Sequence, residues 1–267
     1  MIDDQANSGL RPIRVRLKRY VRDLDATRLE GGGSQPKVFA AEDETLWLVK
    51  AMNNPQGIRT LANELVGTSL ARRIGGTVPR PAVCDLPTEL ATDVRFSSGQ
   101  AWQAGPSFGS ELLDSSWQPT HEMLERVINP GALLAVVAAD TWLGQFDQRQ
   151  ARAVADEHGG YTIWAVDFGY SIGNPGWSAA ELAQRGEPTG IHDPQGWVRL
   201  APSGAASALR ATIEGVLDTS LRALVGVIPP EWRVLPDESE ALVSYLTVRR
   251  RSVSSLVSNL GRLGSAP

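Results

Sequence analysis

Asp147 and Asp167 are the residues from which chemistry could start. Asp147 lies in the polar run Gln145-Phe146-Asp147-Gln148-Arg149-Gln150, between apolar stretches, and Asp167 ends the run Tyr161–Val166 and precedes Phe168-Gly169. A carboxylate at the end of a buried strand, beside a flexible glycine, is placed to project into a cleft. By itself an Asp-Phe-Gly triplet is ordinary turn chemistry. Two such carboxylates suit phosphoryl transfer, in which one orients an attacking hydroxyl and the other holds Mg²⁺. That chemistry also needs backbone that can approach phosphates closely and a cation to grip them.

Candidates for those parts precede the aspartates. Glu30-Gly31-Gly32-Gly33-Ser34-Gln35-Pro36-Lys37 can expose N–H groups to an anion, although a Gly-rich hairpin turn is common. Lys50 ends the apolar run Thr45–Val49, where a lysine either snorkels to solvent or grips phosphate in a cleft. Glu64 falls on the helix that follows, either exposed or paired with Lys50 to hold it in place. No one part carries the reading. Their order does: Gly-rich loop, strand lysine, helix glutamate, loop aspartate and strand-end aspartate follow the order of kinase-like folds.

The elements that must position these groups are legible in outline. Alternation predicts strands over 12–22, 38–40 and 45–50, joined by the Gly-rich turn and an Asp43-Glu44 turn, as an antiparallel unit. A helix is expected over 59–73, with Leu61, Leu65, Leu70 and Ile74 as its stripe and Gly75-Gly76 at its end. Residues 79–86 read as a further strand. Residues 95–120 lack periodicity and mark the boundary between an N-terminal lobe, 1–105, and a helical C-terminal lobe, 106–267. Asn129-Pro130 starts a helix, with Asn as its cap, that runs to Gly144. Short strands are expected over 151–155 and 161–166, and helices over 203–224 and 238–260. The fold class is α+β.

Composition narrows the field. Among 267 residues, 42% are apolar and 21% charged, which suits a globular protein with a real core. The single cysteine, Cys84, excludes an internal disulfide framework and reads as a buried hydrophobe. The longest apolar run, Gly131–Ala139, is too short to span a bilayer, and the start of the chain has no signal-peptide pattern; a cytoplasmic location is the expectation. A net charge of −4 argues against bulk nucleic-acid binding. The basic clusters Arg11–Arg19 and Arg249–Arg251 read as solvated faces. His121, His158 and His192 have no metal-ligand spacing. Trp47 and Trp142 read as core, while Trp102 and Phe108 either line an adenine pocket or pack the hinge.

The motifs Gly32-Gly33-Ser34-Gln35-Pro36-Lys37, Leu48-Val49-Lys50, Asn53-Asn54-Pro55-Gln56-Gly57 and Asn63-Glu64-Leu65 resemble those of the small bacterial HipA-like kinases. So do Trp142-Leu143-Gly144, Asp147-Gln148-Arg149-Gln150, Val166-Asp167-Phe168-Gly169 and Pro230-Glu231-Trp232. This resemblance, over roughly residues 12–250, implies a two-lobed protein-kinase-like fold with an antiparallel N-lobe sheet plus helix, a mostly helical C-lobe, and the use of ATP and Mg²⁺. It implies that Gly33, Ser34, Gln35 and Lys37 form the phosphate loop, that Lys50, steadied by Glu64, contacts phosphate, that Asp147 is the base and that Asp167 binds the metal. It also makes Ser34 a candidate for autophosphorylation.

Two departures qualify the expectation. Members commonly have Asn at the position of Gln145 and a basic residue at that of Gln148. In the wider fold an Asn five residues after the base helps hold the metal, and Arg152, which stands there, cannot; Gln150 is the nearest amide that could. The readings are therefore a kinase acting on a hydroxyl of a protein or small molecule, or a nucleotide-binding pseudokinase serving as an interaction module. AMP transfer on the same fold is a third, which no residue favours.

Overall fold

The structure, a computed structural model, describes residues 12–23 and 33–263. It is a mixed α+β fold. Its strands are β1 (Ile13–Asp23), β2 (Lys37–Ala41), β3 (Leu46–Lys50), β4 (Pro81–Leu86), β5 (Gly105–Glu111), β6 (Gln150–Ala155) and β7 (Tyr161–Val166). Its helices are α1 (Arg59–Arg73), α2 (Thr88–Ala91), α3 (His121–Glu125), α4 (Pro130–Leu143), α5 (Ala179–Gln184), α6 (Ala205–Glu214), α7 (Asp218–Val225) and α8 (Pro236–Leu263). The Gly31-Gly32 part of the expected phosphate loop lies outside the described residues.

The first five strands form a closed barrel in the order β1-β2-β3-β5-β4, where an antiparallel sheet was expected. The difference arises after β3. The chain crosses over through α1 and returns as β4, which pairs parallel with β1, Ile13 beside Ala82 and Arg16 beside Asp85. Closure leaves no unpaired sheet edge. Inside the barrel pack Leu17, Phe39, Trp47, Val49, Cys84, Leu86 and Trp102. Trp102 stacks near Phe39 and Phe96, with ring centroids 5.5 Å away in each case, so it is barrel core. Arg14, Arg16, Lys18 and Arg19 of β1 face outward and pair with Asp85, Glu42 and Glu44.

β5 is the strand that the sequence hid. Gly105-Pro106-Ser107-Phe108-Gly109-Ser110-Glu111 pairs with both β3 and β4, so this stretch belongs to the barrel. Its glycines and serines erase the alternation that identifies a strand. Gly109 is required there, because a Cβ would come within 2.2 Å of the Cys84 sulfur.

The β6–β7 hairpin and the helices share a second core around α4, which is buried from Leu133 through Leu143. Asn129 precedes α4, but its side chain does not cap the helix. Its amide donates to Thr77 Oγ1 and Ile163 O, each at 2.9 Å, and its oxygen accepts from Ile163 N at 3.0 Å, tying the helix start to β7. The helix expected over 203–224 is two, α6 and α7, broken at Gly215–Leu217. Arg249 is not on a solvated face: it is buried and donates to the Trp142, Thr141 and Gly186 carbonyls.

α1 joins the two cores. Residues Thr60–Ala71 are all buried. Its first residue, Arg59, forks onto Glu238 of α8, with 2.7 Å to each oxygen. Trp232 packs against Leu61, Leu65 and Phe108 and donates from Nε1 to Pro106 O at 2.7 Å. No helix among the described residues is long and apolar enough to cross a membrane.

Candidate functional site

A cleft of about 930 Å³, open at its mouth, lies between the barrel and the β6–β7 hairpin. The barrel supplies Leu48 and Lys50 from β3, Phe108, Ser110 and Glu111 from β5, and Ser34 and Pro36 from the turn before β2. The hairpin supplies Gln150, Arg152, Ala165 and Val166, with Asp167 at its end. Phe108 lines this cleft and also packs in a buried cluster with Leu61 and Leu65.

Lys50 sits at the back of this cleft because β3 ends there. Its ammonium is paired with the Glu64 carboxylate from α1 and lies 3.0 Å from Asp167 Oδ1. Glu64 is not an exposed helix carboxylate: it is 2% exposed, and its second oxygen accepts the Phe168 N–H at 2.8 Å. One buried cation is therefore shared by two carboxylates from different elements. Burial alone would lower the Lys50 pKa, but Asp167 and Glu64 outweigh it and raise it. Glu64 is pushed up to about 7 by burial, helped by Asp167 and opposed by Lys50. Asp167 is held below the usual carboxylate range: burial works against this, and Lys50 overcomes it.

Asp167 has φ +64°, in the left-handed region that Asp tolerates better than most side chains. Its side chain is 30% exposed, into the cleft. The loop around it is held from several sides. Asn63 donates to Gly169 O at 2.9 Å and accepts from Trp177 Nε1 at 2.8 Å. Phe168 lies against Gly67 of α1, where a Cβ would approach the Phe168 side chain to 2.8 Å. Arg149 donates to the carbonyls of Val166 at 2.8 Å and Asp167 at 2.6 Å.

The expected site residues divide. Ser34, Lys50, Glu64, Gln150 and Asp167 line one cleft. Asp147 does not. It lines an adjoining pocket of about 1190 Å³ with Gln118, Gln148 and Gln195, and Gln150 and Arg152 border both spaces. Asp147 Oδ1 accepts the Gln148 N–H at 2.8 Å, and Gln145, buried, donates to the Asp147 carbonyl at 3.2 Å. Lys37 turns away from the cleft, because β2 carries it opposite Asp23 of β1, with which it pairs. Gln35 also turns away and accepts the Ser97 N–H at 2.7 Å. Gly33 packs beside Gln56, whose side chain a Cβ would approach to 3.0 Å.

Sequence reasoning missed the pair of Asp140 and Arg149. Asp140, 2% exposed, lies in the apolar helix α4 and is held by the Arg149 guanidinium through both carboxylate oxygens. The available signal was an acid inside a run of small apolar residues, which needs a buried cation.

Among the described residues no three His, Cys, Asp or Glu side chains gather to hold a metal ion. The oxygen donors lining the cleft include the Asp167 and Glu111 carboxylates and the Gln150 amide, beside the Glu64 carboxylate that Lys50 and the Phe168 N–H engage. That set fits Mg²⁺, which is commonly held by one or two carboxylates together with substrate phosphates and water.

The HipA-like kinase family model matches residues 26–156. No curated protein matches by sequence. The fold is similar to the crystal structure of the Helicobacter pylori proinflammatory kinase CtkA, with a TM-score of 0.59 at 10% identity, covering 96% of this chain and 100% of that one. The resemblance read from the motifs is thus also found by the family model over residues 26–156, and the structural comparison shows a shared fold.

Proposed function

We propose, with the HipA-like kinase match as premise, that this chain transfers the γ-phosphate of ATP to a hydroxyl, on a protein or on itself. The observation that carries the proposal is the buried Lys50–Glu64 pair meeting Asp167 at the back of the cleft. A lysine held this way is a fixed point charge for the α/β-phosphates. We read the barrel and the helical part as the two lobes of a kinase, with the junction after β5, at residues 112–120. The adenine then lies among Leu48, Phe108, Leu112 and Leu113, with Ser34 beside the phosphates. When bound, Mg²⁺ would be held by Asp167 with Gln150 and would neutralise charge on the transferred group. Asp147 faces the acceptor from the adjoining pocket and takes its proton.

The experiment is transfer of label from γ-labelled ATP with Mg²⁺, to the protein itself and to a cell lysate. Label must appear with wild type and fall at least a hundredfold with Asp147→Asn, the scale of general-base loss. No transfer by wild type to any acceptor rejects the proposal. Two features favour the second reading, a pseudokinase: Asp147 is engaged with its own loop, and Arg152 stands in place of the second metal amide. On that reading ATP raises the melting temperature while no label moves in either protein.

A further inference from the structure

Arg149 is two residues from Asp147, and its side chain is completely buried. Its Nε donates to Asp140 Oδ2 at 3.0 Å and its Nη2 to the other oxygen. Its Nη1 donates to two successive carbonyls, Val166 and Asp167. The guanidinium carbon stands 3.8 Å from the centre of the Phe168 ring. A planar fork can satisfy a carboxylate on one side and two carbonyls on the other; an ammonium on a flexible stem cannot. A pair that served only to neutralise Asp140 would not need those carbonyls. They belong to the two residues whose backbone sets where the Asp167 carboxylate points, and Asp167 holds a left-handed conformation. The other end of the strut is α4, buried along its length from Leu133.

We propose that Arg149 is a positioning residue: it locks the Asp147 loop and the Asp167 loop to one another and to α4, and so holds Asp167 in the conformation that faces the cleft. The idea rests on the kinase reading for its purpose, but its geometry stands without nucleotide.

The test is amide hydrogen exchange on the nucleotide-free chain. The double variant Asp140→Leu/Arg149→Met removes both charges and so leaves no buried ion unpaired. Arg149→Lys keeps the charge and loses the fork. In both, exchange at Phe168, whose N–H is bonded to Glu64, should be at least tenfold faster, while amides of α8 around Leu246 keep wild-type rates. Phe168 rates within twofold of wild type overturn the proposal, and so does acceleration of every element alike, which a merely structural pair would give. If the double variant does not fold, Arg149→Lys decides. With ATP added, both variants should keep the metal-free thermal shift and lose the increment from Mg²⁺. A wild-type chain that transfers no phosphate would sink the proposed function and leave the exchange result standing.

Discussion

Of the three charged groups at the back of the cleft, only Glu64 should titrate near neutral pH, and this can be measured as stability. Its folded-state carboxyl is raised to about 7 from an ordinary value of 4.5. A raised carboxyl contributes stability that is fully present below the unfolded value and is lost as pH rises through the folded one, because the unfolded chain gives up its proton first. Asp167 shifts downward, so its contribution changes only in acid, and Lys50 shifts upward, so its contribution changes only in strong base. Between pH 6 and pH 8, Glu64 releases its proton and stability falls, by on the order of 1 kcal/mol. Glu64→Gln removes that titration. Urea unfolding of both proteins at pH 6 and pH 8 gives the comparison, since groups elsewhere cancel in the difference. Wild type should lose on the order of 1 kcal/mol more than the variant over this interval. A difference that stays flat within about 0.3 kcal/mol, the scatter of independent measurements, would refute the argument that burial and Asp167 outweigh Lys50 at Glu64.

Three further outcomes are expected. Asp167→Asn keeps a residue that tolerates the left-handed backbone, so the fold should survive, while the Mg²⁺-dependent part of the thermal shift with ATP should disappear; an unchanged Mg²⁺ increment would place the metal elsewhere. Gly67→Ala drives a methyl into Phe168 and Ser171 Oγ, at 2.8 and 2.9 Å. It should cost about 1–3 kcal/mol by denaturant unfolding and lower phosphate transfer, because Phe168 carries Asp167 with it. Trp232→Phe removes the donor to Pro106 O, leaving a buried carbonyl unpaired at about 1–3 kcal/mol, and calorimetry should show a lowered melting temperature.

The groups legible in the sequence were those that chain order alone can mark. Lys50 ends an apolar strand, Glu64 lies on the next helix and Asp167 ends a later strand, and each of those elements falls where periodicity put it. What stayed hidden depends on contacts between distant residues. Nothing local to β1 or β4 says that they pair parallel and close a barrel. Nothing in the Gly- and Ser-rich run of β5 alternates, because Gly109 is shaped by Cys84 across the strand pair. Lys37 looked like part of a phosphate loop, but β2 sets it opposite Asp23, and a nearby carboxylate competes for the cation. Asp140 stood out only as an acid among alanines and valines, and its partner could not be read, since Arg149 reaches it only after α4 and the following loop have folded against one another.

The separation of Asp147 from Asp167 bears on which chemistry the site could carry. In phosphoryl transfer the attacking and leaving oxygens lie roughly in line on opposite sides of the moving group. Donor and acceptor must therefore occupy different volumes that meet at a boundary. A site with both aspartates in one pocket would hold the base on the donor's side of that boundary. Here Gln150 and Arg152 border both pockets, so a group passing between them would pass these two side chains. An arginine at that place cannot ligate a cation, but it can stabilise charge on a transferring phosphoryl group. The same substitution that weakens the case for a second metal contact thus supplies positive charge at the boundary. It follows that Arg152→Gln separates the alternatives: loss of transfer with nucleotide binding intact favours a charge-stabilising role, and unchanged transfer favours a wall residue with none.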